Sequence, residues 1–162
     1  MHDVLPGEFR HAMGRLAKGV SVATTLVDGR DHAMTVDSFT SVSLDPVLVL
    51  ICVEKDARFH SAVLDAGRWG VTVLSAAQRP AAQWFATRGR PLVGQLDGWP
   101  THRAPSGVAL LDGGLAEFDV ETRAVHPAGD HSVIIGEVVG LKLASDPAES
   151  LVFYRGGFAP LA

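Results

Sequence analysis

Residues 34–55 read MTVDSFTSVSLDPVLVLICVEK, and this stretch carries the strongest structural signal in the chain. Its second half holds seven consecutive apolar residues, 47–53. A short apolar run rich in β-branched residues predicts a strand buried on both faces. Its first half carries five short hydroxyl side chains, which belong to Thr35, Ser38, Thr40, Ser41 and Ser43. Hydroxyls just before a core strand predict a polar wall suited to a flat heterocycle or a phosphate.

Three helices are predicted, one before this stretch and two after it. Residues 8–18 and 58–66 place apolar side chains at helical spacing, and a glycine follows each segment. Ser75 and Gln78 have the spacing of a capping box, which predicts the start of a helix that contains Phe85, with Pro80 as the alternative start.

Alternation of apolar and polar residues predicts strands elsewhere. Residues 20–25 form one such strand, and Asp28-Gly29 after it predicts a hairpin turn. Further strands are predicted over residues 70–74, 117–122, 132–143 and 151–154. Many short strands, few helices and no regular βα alternation favour an antiparallel barrel over a doubly wound fold. The predicted fold class is therefore mainly β with a few short helices.

Residues 88–107 do not fit this pattern, because they are rich in glycine and proline and show little periodicity. A structureless loop of that length is uncommon in a compact domain and is usually functional or mobile. Trp99 within it either caps a substrate pocket or pins the loop to the barrel or to a second subunit.

Length and composition narrow the class of protein. The 162 residues predict one domain over the whole chain. Apolar residues make up 47% and charged residues 20%, which is an ordinary soluble composition. The net charge of −4 and the lack of a Lys/Arg block argue against a nucleic-acid partner. The longest apolar run is too short to span a membrane, and Cys52 is the only cysteine, so we expect a cytoplasmic protein.

Common catalytic motifs are missing from the sequence. There is no glycine-rich dinucleotide fingerprint, no phosphate-binding P-loop and no hydrolase nucleophile motif. The seven histidines show no spacing typical of a metal site, so no metal is expected. This elimination leaves cofactor chemistry, in which the protein positions and polarises a bound group.

Several motifs together resemble one family. Besides residues 34–55, they are FRHAMG at 9–14, VTVLS at 71–75, GDH at 129–131, IGEV at 135–138 and YRGGF at 154–158. In this order they resemble the flavin-reductase-like, FMN-binding split-barrel family, whose members include reductase components of two-component flavin monooxygenases. The resemblance implies a split antiparallel, Greek-key β-barrel and a homodimer.

The resemblance also implies an activity, the reduction of free FAD or FMN by NAD(P)H. Hydride would pass between two stacked rings held about 3–3.5 Å apart, and reduced flavin would leave for a partner monooxygenase. Both flavins present the same ring, so the sequence does not choose between FAD and FMN. NADH is favoured over NADPH, because no cluster of arginines for a ribose phosphate is visible.

The resemblance places the flavin ring against residues 34–43. The implied contacts come from this segment and from the core strand after it, and they are Thr35, Val36, Asp37, Ser38, Ser41, Ser43 and Cys52. Backbone N–H groups there would stabilise negative charge on the reduced ring. The alternative is that the hydroxyls cap an irregular strand end. Because the family usually has Asn at position 37, we expect Asp37 to contact flavin through its backbone.

The resemblance places the flavin phosphate just after the core strand. The implied residues surround a turn and the start of the next helix, and they are Glu54, Lys55, Ala57, Arg58 and Phe59. Lys55 and Arg58 would supply positive charge, and the helix start would supply free N–H groups. The alternative is a set of solvated surface charges at a turn.

The remaining implied contacts come from later motifs. His131 is expected to position the nicotinamide or to stabilise charge near the ring, and Asp130 to orient the loop. Tyr154 and Phe158 would flank the cofactor site, with Arg155 on a dinucleotide phosphate and Phe85 stacked on the nicotinamide or adenine. Plain core or dimer packing is the alternative for the last four residues.

Two other functions fit the same barrel. A flavin-binding or flavin-sensing protein would hold FMN without turnover. An oxidase of the pyridoxamine-phosphate type would keep FMN tightly bound and would need a richer basic pocket than this sequence shows.

Overall fold

The computed structural model describes residues 3–145 and 148–161, which form a mainly β structure with short helices, as predicted. The helices are α1 (Pro6–Met13), α2 (Arg58–Ala66) and α3 (Arg79–Ala86), and a 3-10 turn (Ala76–Gln78) precedes α3. The strands are β1 (Lys18–Gly19), β2 (Ser21–Val27), β3 (Arg30–Val36), β4 (Thr40–Leu44), β5 (Val47–Glu54), β6 (Arg68–Val73), β7 (Thr101–Arg103), β8 (Ala109–Leu111), β9 (Ala116–Ala128), β10 (His131–Leu143), β11 (Ser150–Tyr154) and β12 (Gly157–Leu161).

All strand pairs in the described residues are antiparallel, as the sequence predicts. Seven strands form the main sheet in the order β3-β2-β6-β9-β10-β5-β4. A second sheet has the order β1-β11-β12, and β7 pairs with β8 in a third. None of the helices in the described ranges has the length and hydrophobicity needed to cross a membrane.

The two edges of the main sheet are joined by residues 37–39, which connect β3 directly to β4. We call this connection, residues 37–39, the seam. Ser38 lies in it, and its hydroxyl forms hydrogen bonds with the backbone of β5. The Cys52 N–H donates to Ser38 Oγ (2.9 Å), and Ser38 Oγ donates to the Cys52 carbonyl oxygen (3.2 Å). The side chain therefore takes the place of a ladder bond where β4 no longer pairs with β5.

Local signals correctly predict two of the connections. Asp28 and Gly29 both have positive φ, 49° and 73°, and join β2 to β3 in a tight hairpin. Gly67 ends α2 with a φ of 65°, a left-handed conformation that glycine adopts without strain.

Helix α1 ends at Met13, five residues earlier than predicted. The chain leaves the helix because Lys18 and Gly19 pair with β11, and this tertiary pairing overrides the local helical pattern. No residue of α1 is buried, and Phe9 is 57% exposed. The apolar spacing of residues 8–18 therefore marks a surface of this chain and not a core-facing helix.

Strand β5 is buried on one face only, so the predicted burial on both faces is wrong. Val49, Ile51 and Val53 point into the core, whereas Leu48 and Leu50 are only partly buried. No helix covers the outer face of β5 in the part of the chain that the structure describes. Helices α2 and α3 pack on this sheet, but they lie on other strands or on its inner side.

Residues 88–107 are more ordered than a structureless loop. Gln95 and Leu96 are buried, and β7 begins at Thr101. The ring of Trp99 lies 5.5 Å from that of Phe85 and packs on the core. Of the two roles considered for Trp99, the structure shows attachment of the loop to the barrel.

Candidate functional site

A cavity of about 390 Å³ opens between the end of β5, the start of α2 and the end of α3. Its walls come from β3, from the turn into α2 and from the chain after α3, and they comprise residues 32–35, 54, 56–59, 85–90 and 95. We call this space the central cavity.

The central cavity brings together the two segments that the sequence analysis assigned to flavin. Met34 and Thr35 come from the predicted ring segment, and residues 54–59 contain the predicted phosphate segment. Six predicted site residues line the cavity: Thr35, Glu54, Ala57, Arg58, Phe59 and Phe85. Val36 is next to it in sequence, but its side chain is buried in the core, so only its backbone is available to a ligand.

Three of the five hydroxyls are hydrogen-bonded within the chain and do not form a polar wall open to a ligand. Thr35 Oγ1 donates to the Ala82 carbonyl oxygen of α3 (2.7 Å), and Ser38 closes the seam described above. Ser43 Oγ accepts from the Asp45 N–H (3.3 Å) in the turn after β4. These three hydroxyls make hydrogen bonds within the fold around the segment, while Ser41 is exposed on β4.

Asp37 is paired within the chain. Its carboxylate forms an ion pair with the Lys18 ammonium, which also lies 5.9 Å from the centre of the Phe153 ring. Burial raises the pKa of the Cys52 thiol, and the nearby charge of Asp37 raises it further. Cys52 therefore remains a neutral thiol near pH 7, and its contribution at the seam is through its backbone.

The wall formed by residues 86–90 depends on Arg90. Its Nη1 donates to the carbonyl oxygens of Phe85 (2.7 Å) and Thr87 (2.5 Å), and its Nη2 donates to that of Ala33 (2.7 Å). Arg58 Nη2 in turn donates to the Arg90 carbonyl oxygen (2.7 Å). Burial lowers the pKa of Arg90, and the charge of Arg58 lowers it further. Arg90 thus ties the end of α3 to β3 across the cavity.

The Gly129-Asp130-His131 turn lies at the rim, outside the cavity lining. His131 is the cross-strand partner of Glu54, and the Lys55 N–H donates to the Asp130 carbonyl oxygen (2.9 Å). Lys55 Nζ also donates to the Gly129 carbonyl oxygen (2.6 Å), so this ammonium is used at the turn. The two motifs, distant in sequence, are thereby held side by side.

Phe85 cannot stack on a ligand as predicted, because its ring is only 1% exposed. Trp99 packs against it, and the Arg90 guanidinium lies 5.7 Å from its centre. The apolar spacing of α3 places Phe85 in the core, which is the packing role considered as the alternative.

The C-terminal residues lie in the small sheet, away from the central cavity. Arg155 lines a separate cavity of about 560 Å³ beside α1, and its guanidinium lies 5.2 Å from the centre of the Tyr154 ring. Phe158 packs on Phe153, with their ring centres 5.3 Å apart. One chain therefore does not bring Tyr154, Arg155 or Phe158 to the predicted flavin segments.

Four residues line the cavity without having been predicted as site residues, namely His32, Arg88, Arg90 and Gln95. The two arginines flank a glycine just after a helix, and a basic pair at such a turn is a usable signal for an anion site. His32 and Gln95 have no comparable signal, because a single polar residue in a strand or loop has many structural roles.

His32 lines the cavity with a buried Nδ1 that has no hydrogen-bond partner in the described residues. Burial lowers its pKa below the ordinary 6.5; Asp31 opposes this shift, and Arg58 and Arg30 add to it. Below about pH 6.5 the unfolded chain takes up this proton before the folded chain does, so stability falls as the pH falls towards the lowered value.

We therefore expect His32→Gln to reduce the acid sensitivity of the fold. Between about pH 7.5 and about pH 5.5 the wild-type melting temperature should fall further than that of His32→Gln, as measured by thermal unfolding. His126→Gln, at an exposed histidine of β9, serves as the control and should retain the wild-type pH dependence. Equal pH dependence of wild type and His32→Gln would contradict this prediction.

The residues that line the cavity fit a ligand with an aromatic ring and a phosphate. Arg58, Arg88 and Arg90 outnumber Glu54 and Asp56, so the lining carries a positive excess. The start of α2 has no side-chain cap, which leaves its first N–H groups for an anion.

Comparison with known proteins agrees with this fit. The model of the flavin reductase like domain matches residues 13–162. An "NADH-dependent flavin reductase" from Rhodococcus sp is 36% identical over 162 residues, covering 98% of this chain and 88% of that protein. The "Flavin-dependent monooxygenase, reductase subunit HsaB" from Rhodococcus jostii (strain RHA1) is 34% identical over 153 residues, covering 94% of this chain and 76% of that protein.

Solved structures give the same result. The Streptomyces globisporus C-1027 "NADH:FAD oxidoreductase SgcE6 in complex with NAD and FAD fragments" is 34% identical and superposes with a TM-score of 0.91. The match covers 100% of this chain and 98% of that chain. Sequence and fold agree over nearly the whole length, which confirms both the resemblance and the split-barrel fold. This chain belongs to the flavin reductase-like family.

Proposed function

We propose that this protein reduces free FAD or FMN with NADH and supplies the reduced flavin to a partner flavin-dependent monooxygenase. One observation carries the proposal: the central cavity joins the ring segment at Met34 and Thr35 to the phosphate segment at residues 54–59. The reductase names of the family members described above support the choice of NADH and of a monooxygenase partner.

The protein contributes binding and orientation. Bound flavin supplies the chemistry, since it accepts a hydride from NADH without a protein acid or base. Backbone groups of residues 34–41, of which Met34 and Thr35 line the cavity, would hold the ring, and Arg58 with the first N–H groups of α2 would hold the phosphate. Arg90 keeps the opposite wall in place through its carbonyl contacts.

His131 holds a proton at a defined ring nitrogen. Its Nδ1 lies 2.8 Å from Asp130 Oδ1, and the hydrogen bond from His131 lowers the pKa of Asp130, to which the charge of His131 adds. The carboxylate assigns the proton to Nδ1 and leaves Nε2 as an acceptor when the ring is neutral. We assign Nε2 to the nicotinamide, as a positioning contact at the rim beside Glu54.

We also propose that the protein is a homodimer and that it works in the cytoplasm. Large apolar side chains that this chain leaves exposed support it, and they include Leu5, Phe9, Leu44, Leu141 and Leu143. Contacts of Tyr154, Arg155 and Phe158 with the cofactor would then be made across the subunit interface. A monomeric mass in light scattering would contradict the dimer, and recovery from a membrane or secreted fraction would contradict the location.

The test of function is NADH consumption by the purified protein, measured with FAD, with FMN, with no flavin, and again with NADPH. We expect turnover that saturates with free flavin and is faster with NADH. Flavin binding without NADH consumption would instead indicate a carrier or sensor and would remove the role given to His131. Flavin that stays bound through extensive dialysis would favour an oxidase.

Replacing Asp37 by Asn should leave flavin affinity within about twofold of the wild type, because Lys18 already neutralises the carboxylate. The measurement is flavin titration by fluorescence. Lys18→Met is the matched contrast: it leaves the charge uncompensated and should weaken binding of reduced flavin, whose ring is anionic. A loss of about tenfold in Asp37→Asn would contradict the backbone contact proposed for this residue.

A further inference from the structure

The charged side chains around the central cavity differ in what they bind. Arg90 is occupied by backbone carbonyls of α3, of the wall after it and of β3. Arg58 is partly occupied by the Arg90 carbonyl oxygen. Arg90 is therefore not available to an incoming anion, whereas Arg58, which we assign to the phosphate, has only its Nη2 engaged in the wall.

Arg88 is instead held by another side chain. Its Nη2 lies 2.8 Å from Glu54 Oε2, and 85% of the Arg88 side chain is exposed, against 36% for Glu54. Both residues line the cavity, and the pair joins the end of β5 to the chain after α3. An exposed pair of this kind contributes little to stability, because solvent and salt screen it, so a stronger partner can replace it.

We infer that Glu54 is a built-in competitor for Arg88, which a phosphate-bearing ligand must displace when it binds. The inference rests on the proposed function of the cavity. A phosphate is a better partner for a guanidinium than a single carboxylate oxygen, because it offers more acceptor oxygens and more negative charge. When Arg88 turns to the phosphate, Glu54 is left without its cation and repels the ligand.

As a consequence, the residues that line the cavity keep its affinity for the phosphate-bearing ligand low. Glu54 lowers ligand affinity twice, first by occupying Arg88 and then by repulsion. Weak retention suits a protein for which flavin is a substrate that must leave after reduction. Glu54 thereby acts on the phosphate end of the ligand and not on its ring, and this distinction can be measured.

The experiment compares wild type and Glu54→Gln in titrations with FMN, FAD and riboflavin, which carries no phosphate. Glu54→Gln should bind FMN about threefold to tenfold more tightly, and riboflavin with unchanged affinity. A similar gain with FAD would show that a diphosphate uses the same arginine; a gain with FMN alone would restrict the effect to a phosphate monoester. Either result supports the competition.

Arg88→Gln separates competition from simple repulsion. This variant should bind FMN several-fold more weakly than wild type, and adding Glu54→Gln to it should restore less than Glu54→Gln gains alone. The charge control is Glu137→Gln, which breaks a surface pair with Arg123 at the same distance, 2.8 Å, away from the cavity. It should leave all three affinities unchanged.

Three outcomes would overturn the inference. Equal FMN affinities for wild type and Glu54→Gln would refute it while leaving flavin binding, and hence the proposed function, intact. Tighter binding of riboflavin in Glu54→Gln would show that the residue acts on the ring. No binding of any flavin by the wild type would instead remove the proposed function together with the inference.

Discussion

A Gly136→Ala variant will unfold at a temperature about 10 °C below the wild type, a loss of about 3 kcal/mol. Gly136 lies on β10 at a shift in register with β9. A Cβ there would overlap Val120 Cγ1 and would lie 3.0 Å from both Trp69 Cζ2 and the Glu121 carbonyl oxygen. Trp69 and Val120 are fully buried in one core cluster, so neither can move aside without repacking.

The control is Gly19→Ala, at another strand glycine. A Cβ at Gly19 would have no heavy atom within 4 Å, and its φ is outside the positive range. Thermal unfolding should therefore give a melting temperature close to that of the wild type for Gly19→Ala. A Gly136→Ala protein with wild-type stability would show that β9 and β10 separate more easily than the packing implies.

An Arg90→Met variant should bind flavin more than about tenfold more weakly and lose about 3 kcal/mol of unfolding free energy. The methionine fills similar space but donates no hydrogen bond. The carbonyl oxygens of Phe85 and Ala33, two buried residues, would lose the hydrogen bonds that Arg90 donates. The wall at residues 86–90 would then separate from β3, and flavin titration with thermal unfolding measures both effects.

Two comparisons isolate the role of Arg90. Arg79→Met removes the same charge at an exposed position at the start of α3 and should change neither quantity. Arg90→Lys keeps the charge but cannot reach several carbonyls at once, so it should resemble Arg90→Met in flavin affinity. Flavin binding by Arg90→Lys at the wild-type level would mean that charge matters and positioning does not.

Features with local determinants could be predicted from the sequence. The Asp28-Gly29 hairpin and the end of α2 at Gly67 depend on backbone conformations that those residues favour by themselves. The capping box at Ser75 and Gln78 also forms, although it opens a 3-10 turn before α3. Each of these features involves neighbours along the chain.

Features that depend on distant partners could not be predicted. The hydroxyl of Ser38 is used on Cys52 only because the barrel brings its two edges together. Arg90 is a wall residue because Ala33, fifty-seven positions earlier, lies opposite it. No periodicity in the sequence encodes such contacts, since they exist only after strands β3 and β5 have been placed.

The burial of β5 on one face shows a third limit. Residues 47–53 are all apolar, so both faces of the strand have the same composition. The sequence therefore cannot distinguish a strand that one chain covers on both faces from a strand whose outer face is free to contact another surface. Residues 8–18 have the same ambiguity, because their helical apolar face is not covered within the described chain.

The small sheet has a consequence for synthesis on the ribosome. Its strand β1 pairs with β11, more than 130 positions later in the chain, since Lys18 lies opposite Phe153. Val20, which donates its N–H to the Leu151 carbonyl oxygen, and its apolar neighbours stay uncovered until β11 has been synthesised. The nascent chain thus exposes part of its future core while more than 130 residues are added, a condition in which chaperone protection matters.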